Sequence, residues 1–216
     1  MSSRKADNIA SARAMSCTDE IIEKYFRNCQ IVFNEQKIDN SKGSFVWNCD
    51  ETGFNGDRGK ISILCRKGTR RPLKLTGNNE KINYTVHNCC NANGFFMPPF
   101  IVYKSAGRLY DNWMKGGPEN AVYSTSPSGW MEKDQFSQWL EYVFVPETKK
   151  IVGNNHILLL DGHGSHVTQK SIEICIQNNV VLVCLPAHSS HILQPLDVGV
   201  YCHVKRTWKN IHGEYY

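Results

Sequence analysis

Apolar residues first fall into a helical rhythm at Ile21, Ile22, Tyr25, Phe26 and Cys29, behind Asp19 and Glu20, which predicts a helix within residues 4–33. Asn40, Ser41, Lys42, Gly43 and Ser44 break that rhythm. The pattern divides the chain into an N-terminal helical segment, 1–40, and a larger unit, 41–216. In the larger unit, FVWNCD predicts a short strand ending on Asp50. Thr52 and Gly53 then read as the turn that releases the chain. β-Branched and aromatic residues at 83–91 and 95–103, separated by Asn91 to Gly94, predict a hairpin flanking that first strand. Phe136, Trp139, Leu140, Val143 and Phe144 share one face of a helix over 132–145, which Pro146 is expected to stop. HILLL, at 156–160, predicts a buried strand. A glycine-containing turn follows it, then a helix over 168–178 with Ile172, Cys175 and Ile176 on one side, and a second buried strand, VVLVCLP. A last helix runs from Pro195, pre-set for a first turn, to Trp208. Strands alternating with helices in this way give a mixed α/β sheet flanked by helices.

Composition narrows the class. A hydrophobic content of 41% over 216 residues excludes a disordered chain. No apolar run approaches the roughly 20 residues of a membrane helix, and residues 1–14 lack the apolar centre of a secretory signal. The expectation is a soluble, intracellular protein with no membrane partner. The nine cysteines include no C-x-x-C pair, and several lie in apolar runs, so reduced thiols acting as small core residues are expected.

The net charge of +5 is unevenly placed. Arg58, Lys60, Arg66, Lys67, Arg70, Arg71, Lys74 and Lys81 fall in one stretch whose clear acid is Glu80. Such a patch suits a polyanion or is a solvated hairpin face; Arg66, Lys67, Arg70, Arg71 and Lys74 are the candidate DNA contacts.

Three acids carry the candidate chemistry. Asp50 and Asp161 stand where strands reach their carboxyl ends, the side of an α/β sheet where ligands gather, and Asp197 falls in the first turn of the last helix. Singly, each also reads as a cap or turn residue. Together they form a repelling set that hard divalent cations, Mg²⁺ or Mn²⁺, would neutralise. Two such ions about 4 Å apart clamp the attacking and leaving oxygens of a phosphoryl transfer.

WNCDETG (Trp47 to Gly53), LLLDGHGSH (Leu158 to His166) and LPAHSSHILQPLDVGV (Leu185 to Val200) resemble the three signature blocks of the DDE superfamily endonuclease domain. The resemblance is to transposases of the pogo, Tigger and jerky group, related to mariner-type elements, and to proteins domesticated from them. It implies a ribonuclease-H-like fold, with Asp50, Asp161 and Asp197 as the catalytic and metal-holding triad. It further implies Mg²⁺ or Mn²⁺ as the cofactor with no other small molecule, DNA as partner, a homodimer and a nuclear location. Metal-dependent DNA cleavage and strand transfer is the implied function, and a domesticated, catalytically silent DNA-binding or interaction protein is the alternative. Full-length relatives carry helix-turn-helix modules ahead of this domain. The chain starts almost at the catalytic region and ends 19 residues after Asp197, so the alternatives are a fragment, a product truncated at its C-terminal end, or a protein that borrows its target recognition.

His163 and His166 follow one strand, and His188 and His191 the next. Zinc is disfavoured because no cysteine stands at ligand spacing beside them. His163, His166 and His191 are instead expected to support the aspartates by hydrogen bonds, contact DNA phosphate or pack the loops. Glu51 is expected on the face opposite Asp50, because neighbouring strand residues alternate.

Overall fold

The computed structural model describes residues 17–55, 66–68, 83–153, 155–162, 164 and 166–214. Six strands form one sheet: β1 (Val46–Asn55), β2 (Asn83–Asn91), β3 (Phe100–Lys104), β4 (Val122–Ser126), β5 (His156–Asp161) and β6 (Val180–Leu185). Their spatial order is β4-β3-β2-β1-β5-β6. β2 is antiparallel to both neighbours, and the other pairings are parallel. Helices α1 (Asp19–Glu35), α2 (Asp111–Met114), α3 (Lys133–Trp139), α4 (Val145–Thr148), α5 (Gln169–Gln177), α6 (Ser190–Leu193) and α7 (Cys202–Glu214) accompany the sheet.

The larger core lies on one sheet face. Trp47, Cys49, Cys89, Phe100, Val102, Leu158 and Leu160 meet Phe136, Trp139, Leu140, Val143, Phe144 and Cys175 there. Trp47 is fully buried and donates its indole N–H to His156 Nδ1 at 3.0 Å, so this large ring leaves no orphaned donor. On the other face Ile157, Val183 and Leu185 pack with Tyr25, Cys29, Val32 and Phe33 of α1. Thr18 caps α1, accepting from the Ile21 amide at 3.5 Å. Residues 4–16 of the expected N-terminal helix lie outside the described residues.

Several expectations are corrected. β1 does not end on Asp50: Thr52 and Gly53 are not a turn but pair with Val86 and Thr85 of β2. The third strand starts at Phe100 rather than 95, with only an isolated bridge, Cys90 to Phe96, before it. It lies beside β2, away from β1. β4 was not anticipated: its five residues are too few to display alternation, and its parallel partner, β3, is distant in sequence terms. Pro146 does not stop the helix, which continues to Thr148 through a π-helical turn, Leu140–Phe144. A proline ring collides with the carbonyl four residues back, and widening the preceding turn gives that carbonyl room. Cys175 of α5 is buried as expected, but Ile172 and Ile176 are exposed, because the helix faces the core with Ser171, Ile174 and Cys175 instead.

The eight described cysteines are free thiols. No helix among the described residues is long and apolar enough to cross a membrane.

Candidate active site

β1 and β5 run parallel with Val46 opposite Ile157, Trp47 opposite Leu158 and Asn48 opposite Leu159. Two residues further along each strand stand Asp50 and Asp161. Side chains alternate, so both acids share the face of Asn48 and Leu159, on strands roughly 4.8 Å apart at the last pair. Asp161 is the final residue of β5 and pairs with Leu185 at the end of β6.

The chain then returns over that face. After β6, α6 leads to Gln194, which is extended at φ −84, ψ 106, as a residue before proline prefers. Pro195 and Leu196 begin the last helical segment, and Asp197 opens a π-helical turn, Asp197–Tyr201, that runs into α7. Asp50, Asp161 and Asp197 line one cleft together with Gly162, Gly164, Ser190 and His191.

Each carboxylate has a different environment. Burial pushes Asp50 up to about 7, aided by the negative charges of Asp197 and Glu51. Its Oδ2 is buried with no hydrogen-bond partner among the described residues. Asp161 Oδ2 accepts from the Ser190 hydroxyl at 2.9 Å. Asp197 is exposed, and its pKa is raised by desolvation; Lys205 opposes that rise and Asp161 adds to it. Among the described residues, no three His, Cys, Asp or Glu side chains are gathered closely enough to hold a metal ion as they stand. The three carboxylates line one cleft without converging. The donor set is all oxygen and includes a buried atom that lacks a partner, which fits a hard divalent cation.

Glu51 lies on the opposite face, where it meets two buried histidines. His166 Nε2 lies 2.7 Å from Glu51 Oε1, and His166 Nδ1 lies 3.1 Å from the Asp161 carbonyl oxygen. Both neighbours are acceptors, so the ring donates from both nitrogens as a cation. Its pKa is raised accordingly, although desolvation opposes the rise. Glu51 is held well below the usual carboxylate range by the hydrogen bond from His166 and by the two histidine rings beside it, against a desolvation penalty that alone would raise it. His87 Nδ1 is 3.6 Å from Glu51 Oε1, beyond hydrogen-bond reach, and burial pushes its pKa down, so it stays neutral. Its ring packs edge-on against Trp139 at 4.3 Å.

His166 therefore supports Asp161 through the backbone rather than the carboxylate. His166 packs on Phe136, whereas His188 and His191 line the cleft. His163 lies outside the described residues. So do Arg70, Arg71, Lys74 and the other basic positions of the patch, except Arg66 and Lys67, which are exposed. The sequence reading missed Ser190, Asn48, Gln194 and Tyr201. The available signal was a pair of amides spaced closely before acids, Asn48 before Asp50 and Gln194 before Asp197, in otherwise apolar runs.

Removing one member of a buried pair leaves the other charge uncompensated, so Glu51→Ala is expected to cost about 3 kcal/mol in urea unfolding at pH 6. Glu51→Gln, still an acceptor for His166, is expected to cost clearly less. Glu51's contribution is lost as pH falls below the unfolded carboxylate value. That of His166 is complete below its unfolded pKa and lost as pH rises through its elevated one. The wild type minus Glu51→Ala difference should therefore peak between those limits; a difference flat across pH 4 to 8 would contradict the pair.

Residues 81–213 match the model of the DDE superfamily endonuclease family. A Cochliobolus lunatus protein named MFS-type transporter clz9 is 34% identical over 167 residues, covering 76% of this chain and 18% of that protein. A Mus musculus protein, pogo transposable element with KRAB domain, is 26% identical over 186 residues, covering 85% of this chain and 30% of the relative. The chain thus spans less than a third of the length of these relatives. A crystal structure of the Mos1 mariner paired end complex with Mn superposes with a TM-score of 0.56 at 12% identity, covering 94% of this chain and 53% of that one. The fold is ribonuclease-H-like, a mixed six-stranded sheet flanked by helices.

Proposed function

Because the chain belongs to the DDE superfamily endonucleases, with residues 81–213 matching that family's model, we propose that it is a transposase-derived domain that cleaves and joins DNA phosphodiesters with a divalent metal. One observation carries the reading: three carboxylates from three separate elements, Asp50 of β1, Asp161 of β5 and Asp197 at the start of the last helix, line one cleft. Asp50, Asp161 and Asp197 hold Mg²⁺ or Mn²⁺. When bound, such ions supply Lewis acidity at the attacking and leaving oxygens of the phosphodiester. Asp50 must give up a proton for this, Ser190 keeps one oxygen of Asp161 oriented, and Asp197 presents its carboxylate from the open side of the cleft. The partner is DNA and the working compartment is the nucleus. Mn²⁺-dependent nicking of supercoiled plasmid tests the reading, and nicking equal to that of a metal-free control would refute it.

Arg66, Lys67, Arg70, Arg71 and Lys74 serve as phosphate contacts in this proposal. Each neutralised phosphate releases counterions, so duplex affinity should fall linearly with log salt, with a slope of roughly −0.9 per contact. Replacing Arg66, Lys67, Arg70 and Arg71 with alanine should flatten that slope by about 2 to 4 units in a fluorescence anisotropy series. An unchanged slope would make the patch a solvated face.

A further inference from the structure

The three acids hang from three different elements, so their spacing is fixed by whatever ties those elements together. Asn48 and Gln194 do this from inside the protein, at 5% and 0% exposure. Asn48 Nδ2 donates to the Leu159 carbonyl at 3.1 Å and to Gln194 Oε1 at 2.5 Å, while Asn48 Oδ1 accepts from the Leu196 amide at 3.3 Å. Gln194 Nε2 donates to the Cys49 carbonyl at 3.1 Å. Flipping either amide would set donor against donor or acceptor against acceptor, so the network defines a single arrangement. Tyr201, at the far end of the turn that Asp197 opens, donates its hydroxyl to the Asp50 carbonyl at 2.6 Å and accepts from Asn88 Nδ2 at 3.5 Å.

The segments that Asn48 and Gln194 tie together each carry an aspartate within a few positions. Asn48 and Cys49 precede Asp50, Leu159 lies two before Asp161, and Gln194 and Leu196 precede Asp197. Beyond Asn48 and Leu159, β1 and β5 are no longer paired. The spacing of their acids is therefore not set by the sheet alone.

We propose that Asn48, Gln194 and Tyr201 are positioning residues that set the distances among Asp50, Asp161 and Asp197, and thereby their affinity for a divalent cation. The proposal rests on the metal-dependent reading above. The three residues do not touch the metal; they act through the backbone at and beside the acids, and Gln194 also through a side-chain hydrogen bond to Asp50. Groups that orient metal ligands typically contribute 10- to 100-fold in affinity.

The test is Mn²⁺ titration calorimetry on the full chain, paired with melting temperatures in EDTA. Gln194→Met keeps the size of the side chain and removes its bonds, and should weaken Mn²⁺ binding by about tenfold or more. Tyr201→Phe, a milder change that leaves the fold intact should Gln194→Met fail to fold, should weaken it severalfold. Val102→Ala, a core change on β3 away from the cleft, should lower the melting temperature yet keep wild-type affinity. Gln194→Met or Tyr201→Phe binding Mn²⁺ within about twofold of the wild type would overturn the proposal, as would an equal loss in Val102→Ala. Absent Mn²⁺ binding by the wild type would instead defeat the metal-dependent reading, and the proposal with it.

Discussion

Asp161→Asn is expected to abolish Mn²⁺-dependent plasmid nicking, with a rate at least about a thousandfold below wild type. The side chain keeps its size, and Ser190 can still bond its oxygen, so the loss isolates the missing charge. Asp161 would be one of the carboxylates that hold the divalent cations, whose Lewis acidity would serve the attacking and leaving oxygens. Removing it costs several kcal/mol of transition-state stabilisation, and each 1.36 kcal/mol is tenfold in rate. Asp197→Asn should behave alike, whereas Glu51→Gln should retain most activity because Glu51 lies on the other face of the sheet. Equal nicking by wild type and both aspartate variants would show that the cutting belongs to a contaminant or to another site.

The second large effect is a dependence on pH centred on Asp50. Its folded pKa of about 7 lies well above the ordinary aspartate value of 3.8. The folded state therefore holds a proton that the unfolded state has released between those values. Stability conferred by that proton is complete below about pH 4 and is lost as pH rises through about 7. Three pKa units correspond to about 4 kcal/mol, an upper bound for a carboxyl that still touches solvent. Asp50→Asn, neutral at every pH, should lose none of it, so without metal the variant should be the more stable protein at pH 8 and the advantage should disappear by pH 4. Metal binding runs the opposite way, because a cation displaces the proton. Mn²⁺ affinity of the wild type should rise about tenfold per unit up to pH 7 and then level off. Urea unfolding in EDTA measures the first trend and calorimetry the second. A wild type whose stability relative to Asp50→Asn is the same at pH 4 and pH 8 would contradict the assignment.

The elements that position the site were legible where burial imposes a period. HILLL and VVLVCL read as buried parallel strands because both their faces are covered, and observed β5 and β6 follow them closely. Thr168 and Pro195 marked helix starts through local chemistry, a side chain able to cap and a ring that pre-sets φ. Asp50 and Asp161 were each placed as the last residue of a strand, which holds for Asp161 and not for Asp50, whereas alternation set Glu51 on the face opposite Asp50. What the sequence hid was non-local. β4 depends on β3 for its identity. The continuation past Pro146 depends on a widened turn that no residue type announces. Asn48 and Gln194 are 146 positions apart, and neither amide shows in one dimension that the other will satisfy it. The Glu51 to His166 pair was half visible, since the histidine was expected near the acids but its contact with the backbone of Asp161 required the fold.

The central claim is that Asp50, Asp161 and Asp197 together hold the metal. Anomalous diffraction from crystals soaked in Mn²⁺ at pH 8 tests it most directly, because the signal locates the ions without reference to activity. Peaks are expected in the cleft between these three carboxylates, within about 2.0 to 2.4 Å of their oxygens, and should be lost in Asp161→Asn crystals. Peaks elsewhere on the protein, with none at the three aspartates, would contradict it.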